Sequence, residues 1–401
     1  LLTMRSNITG PVRLELKTYS PQKTGILFQA GSEYVIKTTT KNDSTVYEFN
    51  LTNGENNEIK IKGANNIMEI KGLDSLNLSV LKIADATRLT NVELPKNERM
   101  RELVIGSNKY LRILDVSESK SLGSNYPNGQ VNTNRMINLS QCENLRTLKC
   151  NKTALEGVTF PEEGGVLDVL DCSETNISMF KLKGQEYLKE INLASCPKLS
   201  EVVISKCDGL TTLNVPKSAL KTFSVAECEK LENVDISFTN QLSTFQIDQC
   251  PNLKKLNMAG VSNNNIQTLN LSALLKLEDL NISSSSSIKH IVFGKNSDGS
   301  NFNKLKKFKC ANSAITTIRY RLYDAVPEYL DLAGLPLEEI SFDSCKNVRE
   351  IKNINLNTSN GSYAFNECTN LVSITGRLTF SGSMTRTFQN CINLTSIPTG
   401  S

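Results

Sequence analysis

The chain has 401 residues, 39% hydrophobic and 21% charged, with 45 basic against 41 acidic side chains, one histidine and no tryptophan, a folded composition long enough for two or three ordinary domains. A net charge of +4 with no run of lysine or arginine lacks the basic footprint of a nucleic-acid binder. Apolar stretches such as Ile26–Phe28 and Ala273–Leu275 fall far short of the roughly 18 residues that span a bilayer.

The start at Leu1-Leu2-Thr3 has no charged region followed by an apolar one, as expected of a cytosolic protein or of one whose secretion signal has been removed. The first seventy residues do not repeat. Val12, Leu14 and Leu16 alternate with Arg13, Glu15 and Lys17, and the stretches from Val46 and from Glu58 are similarly strand-like, separated by Asn/Gly/Ser turns. These predict a small antiparallel β module, serving as a cap for the rest of the chain or as an independent binding domain.

From Leu76 onward one apolar pattern recurs. Leu188, Leu199, Leu210, Leu220, Leu231, Leu242 and Leu253 lead segments of ten or eleven residues, and the series extends back through Leu89, Met100, Leu111, Leu122, Leu145, Leu155, Leu167 and Ile177. Forward it runs through Ile266, Leu277, Ile288, Leu305 and Ile315, with longer loops interposed. Two kinds of segment alternate. One reads like LRTLKCNKTA from Leu145, and the other often carries a cysteine three residues before the next leucine, as at Cys207, Cys228 and Cys250. Within each segment the apolar sites alternate with period two, which is a short strand. No segment can bury its apolar edge alone, so stacked coils sharing one core are expected.

The pattern L-x-x-L-x-L-x-x-[N/C/T]-x-L resembles the leucine-rich repeat. Near the C-terminus, AFNECTNLVSITG from Ala364 and TFQNCINLTSIP from Thr387 place Cys368 and Cys391 23 residues apart, similar to the repeat of BspA-like bacterial surface antigens. The resemblance covers roughly Leu76 to Pro398. It implies a mostly β fold: a right-handed leucine-rich-repeat solenoid with strands on both sides of each coil, preceded by a small antiparallel β cap. The expected division is a cap module at 1–72, the solenoid at 73–357 and BspA-like repeats at 358–401. Polar Asn/Ser/Gly residues around Asn357–Ser362 suggest a looser segment before the last repeats. The resemblance also implies a noncatalytic protein of the bacterial surface or exterior, associated with the outer membrane and often lipid-anchored after export, which recognises a protein or glycan of a host or bacterial surface. Sequons inside expected strands, such as Asn270-Leu271-Ser272 and Asn281-Ile282-Ser283, argue against a eukaryotic secretory history.

Enzymatic motifs are missing. No CxxC, GxSxG, P-loop or GxGxxG occurs, so no catalytic, cofactor or metal site is assigned. His290 falls at an outward strand position between Ile288 and Ile291 with no assignable partner. Asp168 with Asp171, and Glu278 with Asp279, read as a solvated strand face. Asn296–Asn301 mimics a calcium loop without its closing glutamate, and reads as a turn. All eleven cysteines occupy repeat positions. Equivalent cysteines one coil apart stand about 4.8 Å from each other with parallel Cβ vectors, outside disulfide geometry, and free thiols are expected.

Recognition is therefore sought on an outward strand ladder or in the loops that break the period. One ladder reads Lys149, Asp171, Asn192, Asn214, Asp235, Asn257, Asn281 and Lys309. Asn and Asp are poor strand formers, so their recurrence reflects either a hydrogen-bond ladder or a ligand surface, with Asn192, Asn214, Asp235 and Asn257 as candidate contacts. The opposite ladder carries Thr222, Thr244, Thr268 and Thr317, ordinary β formers. Of the insertions, Gly123–Arg135 contributes Tyr126, and Arg319–Tyr329 contributes Arg319, Tyr320, Arg321, Tyr323 and Tyr329, residue types that supply contact area and donors at low ordering cost. Tyr320 and Leu322 packing into their own coil is the competing reading of that loop.

Overall fold

The computed structural model describes residues 1–19, 24–39, 44–52, 57–84, 86–162, 164–262, 266–295, 301–302, 307–315, 317–319, 329–333, 337–346 and 348–398. The chain divides into two compact units, Leu1–Leu210 and Thr211–Ser401. The described residues contain strands and short 3-10 turns, with no α-helix.

The first unit opens with eight strands: β1 (Leu2–Ser6), β2 (Gly10–Thr18), β3 (Thr24–Ala30), β4 (Glu33–Thr39), β5 (Ser44–Leu51), β6 (Asn57–Lys62), β7 (Ile67–Lys71) and β8 (Leu78–Lys82). The alternation read at Val12–Lys17 falls in β2, which pairs antiparallel with β5 and β7. The second sheet runs β4-β3-β6-β1-β8 with antiparallel pairing. Between the sheets, Phe28 packs its ring 4.8 Å from Tyr47 and 5.3 Å from Phe49. Burial pushes the Tyr47 phenol up to about 12. The repeats grow directly from this module, because β8 also pairs in parallel with β10 (Glu102–Val104), after β9 (Asn91–Glu93).

Each subsequent coil has a three-residue strand on one side whose central residue points inward. In the first unit β9, Ile113–Asp115, Thr147–Lys149, Val169–Asp171 and Glu190–Asn192 pair in parallel. Their central residues Val92, Leu114, Leu148, Leu170 and Ile191 are all buried, as are the leading Leu89, Leu111, Leu145, Leu167 and Leu188. In the second unit Thr212–Asn214, Asn233–Asp235, Lys255–Asn257, Asp279–Asn281, Lys307–Lys309 and Tyr329–Asp331 form the same kind of parallel ladder. It continues into Glu350–Asn360 and Ser373–Ser383.

The chain leaves these strands by one repeated turn. The third residue beyond the strand is left-handed at Lys96, Glu118, Lys152, Glu174 and Ser195 in the first unit, and at Lys217, Phe238, Gly260, Ser284 and Asn312 in the second. One residue further on, buried Thr153, Thr175, Ser218 and Thr239 donate their hydroxyls to the carbonyl three residues back. The cysteines act in kind. The Cys207, Cys228 and Cys250 thiols donate to the carbonyl two residues back, and Cys368 and Cys391 to Phe342 and Phe365 of the preceding coil. All eleven are free, and all but the half-exposed Cys391 are buried.

The segment expected to be loose is ordered. Asn355–Asn360 belongs to an eleven-residue strand paired in parallel with Ser373–Ser383, with irregularities between Ile351 and Ile354 and between Thr358 and Asn360. Backbone pairing needs no apolar side chain, so polar residues exposed on that strand leave most of its ladder in place. Beneath it the Phe342, Phe365 and Phe388 rings stack at 5.8 and 5.2 Å, which accounts for the F-x-x-C motif and adds a copy at Phe342–Cys345 that the spacing of leucines alone does not reveal.

Candidate binding surface

Asn192, Asp235 and Asn257 sit at the third position of their strands, half-buried, and share one task. The side-chain oxygen of each accepts a hydrogen bond from the backbone N–H two residues on: Ala194 for Asn192, Ser237 for Asp235, and Ala259 for Asn257. Asp115, Asp171 and Asn281 do the same to Ser117, Ser173 and Ser283. These Asx turns bend the chain out of the strand and supply a structural cause for the Asn/Asp recurrence. Asn214 stands at the same strand position, paired with Asp235 in register. Asn257 Nδ2 additionally reaches Asp235 Oδ2 at 3.1 Å across the coil.

Flanking the turn-forming residues is an alternation of charge that the ladder of Asn and Asp does not disclose. In the first unit, Arg146 and Lys149 of one coil are followed by Asp168 and Asp171 of the next, with Arg146 3.0 Å from Asp168, and Lys149 lies 3.8 Å from Asp115 of the preceding coil. In the second unit, successive coils present Glu232 and Asp235, then Lys254 and Lys255, then Glu278 and Asp279, then Lys307 and Lys309. Lys254 lies 2.6 Å from Glu232. Because parallel strands place equivalent residues side by side, these coils offset one another's charge, whereas nearer the start of the first unit like charges meet, Glu93 beside Asp115 in register. The signal lay in the residues either side of the central leucine, read over two coils.

Two shallow depressions lie on these ladders. One in the second unit is lined by Asn214, Asn233, Asp235, Lys255, Asn257, Asp279, Asn281 and Lys309. The other, in the first unit, is lined by Lys149, Asp168, Val169, Asp171, Lys189, Glu190 and Asn192, and its one large apolar outward side chain is Val169, 42% exposed. A sequence-named contact thus lines each depression, Asn192 in one and Asn214, Asp235 and Asn257 in the other.

Tyr126 lies elsewhere, in an insertion that is a folded loop. Its hydroxyl donates to Glu102 Oε1, and Asn134 donates to Glu102 Oε2 at 2.9 Å. Burial and the Glu102 carboxylate push the phenol up to about 12. Asn132, buried, bonds the Arg101 and Ser124 carbonyls, and Arg135 pairs with Glu156 at 2.9 Å. The Arg135 hydrogen bond, with Lys198 adding to it, holds the Glu156 carboxyl below its ordinary value against the desolvation that would raise it. Tyr320, Arg321 and Tyr323 lie outside the described residues, as does Asn296–Ser300. Arg319 ends the strand Thr317–Arg319, Tyr329 begins Tyr329–Asp331, and His290 begins His290–Lys295. Among the described residues no group of three or more His, Cys, Asp or Glu side chains is placed to hold a metal, and no helix is long and apolar enough to cross a membrane.

Residues 175–300 and 336–401, just under half of the chain, match the model of the BspA type leucine-rich repeat region in six copies. Among solved structures, the functional domain of InlJ from Listeria monocytogenes, described as including a cysteine ladder, is similar with 14% identity over 73% of this chain and 70% of that one, at a TM-score of 0.26. A leucine-rich-repeat protein of Leptospira interrogans is similar with 13% identity over 66% of this chain and 90% of that one, at a TM-score of 0.22. No curated protein matches the chain.

Proposed function

From a chain whose repeats are of the BspA leucine-rich type, we propose a noncatalytic, adhesin-like binding protein of the bacterial cell surface or exterior that engages a protein partner through the outward ladder of short strands. The observation that carries this reading is the coil-by-coil offset of charge. A ladder that neutralises itself attracts no polyanion, and offers a partner a regular array of paired charges and amides, which specifies by complementarity. Its carboxylates are held by Asx turns and neighbouring lysines, an arrangement suited to shape and contact. The 319–329 loop, with Arg319, Tyr320, Arg321, Tyr323 and Tyr329, is the accessory contact in this reading.

A second reading is favoured by the amides of Asn214, Asn233, Asn257 and Asn281 around one depression: a glycan-binding accessory for polysaccharide uptake, since side-chain amides pair well with sugar hydroxyls. A ligand-free surface spacer is the third.

Concentration-dependent binding of the purified chain to immobilised matrix proteins, mucin and a polysaccharide panel separates them. Saturable protein binding is expected, with less than tenfold loss between about 50 and 200 mM salt, where a polyanion binder making six to ten phosphate contacts loses about 10³-fold or more. Lys255→Ala with Asp279→Ala is expected to weaken binding about tenfold, a change of roughly 1.4 kcal/mol. Binding to polysaccharide alone would transfer the assignment to the uptake accessory, and silence across the panel to the spacer. Release of the protein from intact cells by added protease tests the location.

A further inference from the structure

The strand β4 stands at the edge of its sheet. Among the described residues it is the last strand of its sheet, bonded to β3 on one side only, and two of its large apolar side chains, Tyr34 and Ile36, are 61% and 70% exposed. Ala30 and Glu33 close a hairpin through the two-residue turn Gly31-Ser32, with Gly31 left-handed. In such a hairpin the residues next to the turn exchange both backbone hydrogen bonds, and residues alternate from there. Glu33, Val35 and Lys37 therefore bond to β3, leaving the N–H and C=O of Tyr34 and Ile36 directed at the open edge.

We infer that two copies of this chain associate by antiparallel pairing of β4 with β4 about a two-fold axis through Val35, joining two sheets into one. Three features meet in that register. Tyr34 lies opposite Ile36 of the second copy and Ile36 opposite its Tyr34, and these are the residues whose backbone groups are free to form the hydrogen-bonded pairs. An aromatic opposite a β-branched side chain is a favourable cross-strand pair. Glu33 lies opposite Lys37 of the second copy, and the reverse, at the non-hydrogen-bonded sites where side chains approach most closely. Shifting the register by two residues in either direction breaks the Glu33–Lys37 match. Glu33 and Lys37 now bond the backbone of β5 in the other sheet, at Asn50 N–H and the Val46 carbonyl, contacts that both side chains exchange for the second copy's charges on pairing. Exposed edges are ordinarily protected by unmatched charges; here the charges are matched under a two-fold axis, the isologous arrangement of a closed dimer.

The test is a charge-exchange cycle read by sedimentation equilibrium of the full chain, with thermal unfolding confirming that each variant folds. The unaltered chain is expected to show a concentration-dependent monomer–dimer equilibrium. Glu33→Lys places lysine opposite lysine and Lys37→Glu places glutamate opposite glutamate, so each alone is expected to weaken dimerisation at least tenfold. Mixing the two single variants restores both attractive pairs and is expected to give a mixed dimer, and the double variant E33K/K37E to dimerise by itself. A chain that stays monomeric throughout, or a dimer indifferent to both single changes, overturns the inference.

Discussion

Asp171 illustrates how little side chain sets a coil. Its carboxylate accepts from the Ser173 backbone N–H at 3.0 Å and the Ser173 hydroxyl at 2.7 Å, and three residues along Glu174 is left-handed, with φ 53°. Asp171→Ala removes both bonds and is expected to destabilise the chain by about 1 kcal/mol, while Asp171→Asn keeps the backbone bond and loses less; urea denaturation of the two variants measures the difference. Glu174 and Lys217 carry a Cβ in a conformation that suits glycine, and the second unit uses Gly260 at the equivalent site. Lys217→Gly is therefore expected to stabilise by about 0.5–1 kcal/mol although its side chain is exposed. The buried thiols give the chain an alkaline limit. Burial pushes Cys142 up to about 11, and also raises Cys196. A folded thiol that holds its proton more tightly than the unfolded one leaves stability intact below the ordinary thiol pKa and removes it above. Between about pH 8.5 and 11 Cys142 alone is expected to withdraw about 2–3 kcal/mol, and Cys142→Ala flattens the decline seen in denaturation midpoints.

At the scale of elements, the strands held by leucines were legible and those held by backbone were not. Leu188 and Leu253 announce their coils because each must be apolar to fill the interior, and both are fully buried. Glu350–Asn360 announced itself poorly, since beyond Leu356 its pairing is carried by peptide groups under polar side chains. Likewise Asn192 and Asp235 were legible as a recurrence, but their Asx bonds depend on a turn that propensity does not describe. The phenylalanine column behaves like the leucines. Phe365, fully buried between Phe342 and Phe388, is expected to cost about 3–5 kcal/mol as Phe365→Ala and under about 1.5 kcal/mol as Phe365→Leu, read from thermal unfolding.

At the scale of the whole molecule, each coil leans on its neighbours, and stability sums over adjacent contacts. In the first unit β1 pairs with β8 and β8 with β10, and we propose that residues 1–72 cap the repeats. A chain lacking those residues is expected to aggregate from its exposed strand edge, measured by light scattering; a monodisperse product with unchanged unfolding would make the module an independent domain. The alternation of charge in the second unit sets a further rule. Excising 253–276 brings Glu232 and Asp235 beside Glu278 and Asp279, whereas excising 253–304 brings them beside Lys307 and Lys309. The shorter excision is expected to give the less stable protein. This ladder has a parity: it lengthens and shortens without electrostatic conflict only in even steps, so its unit of inheritance is the pair of coils.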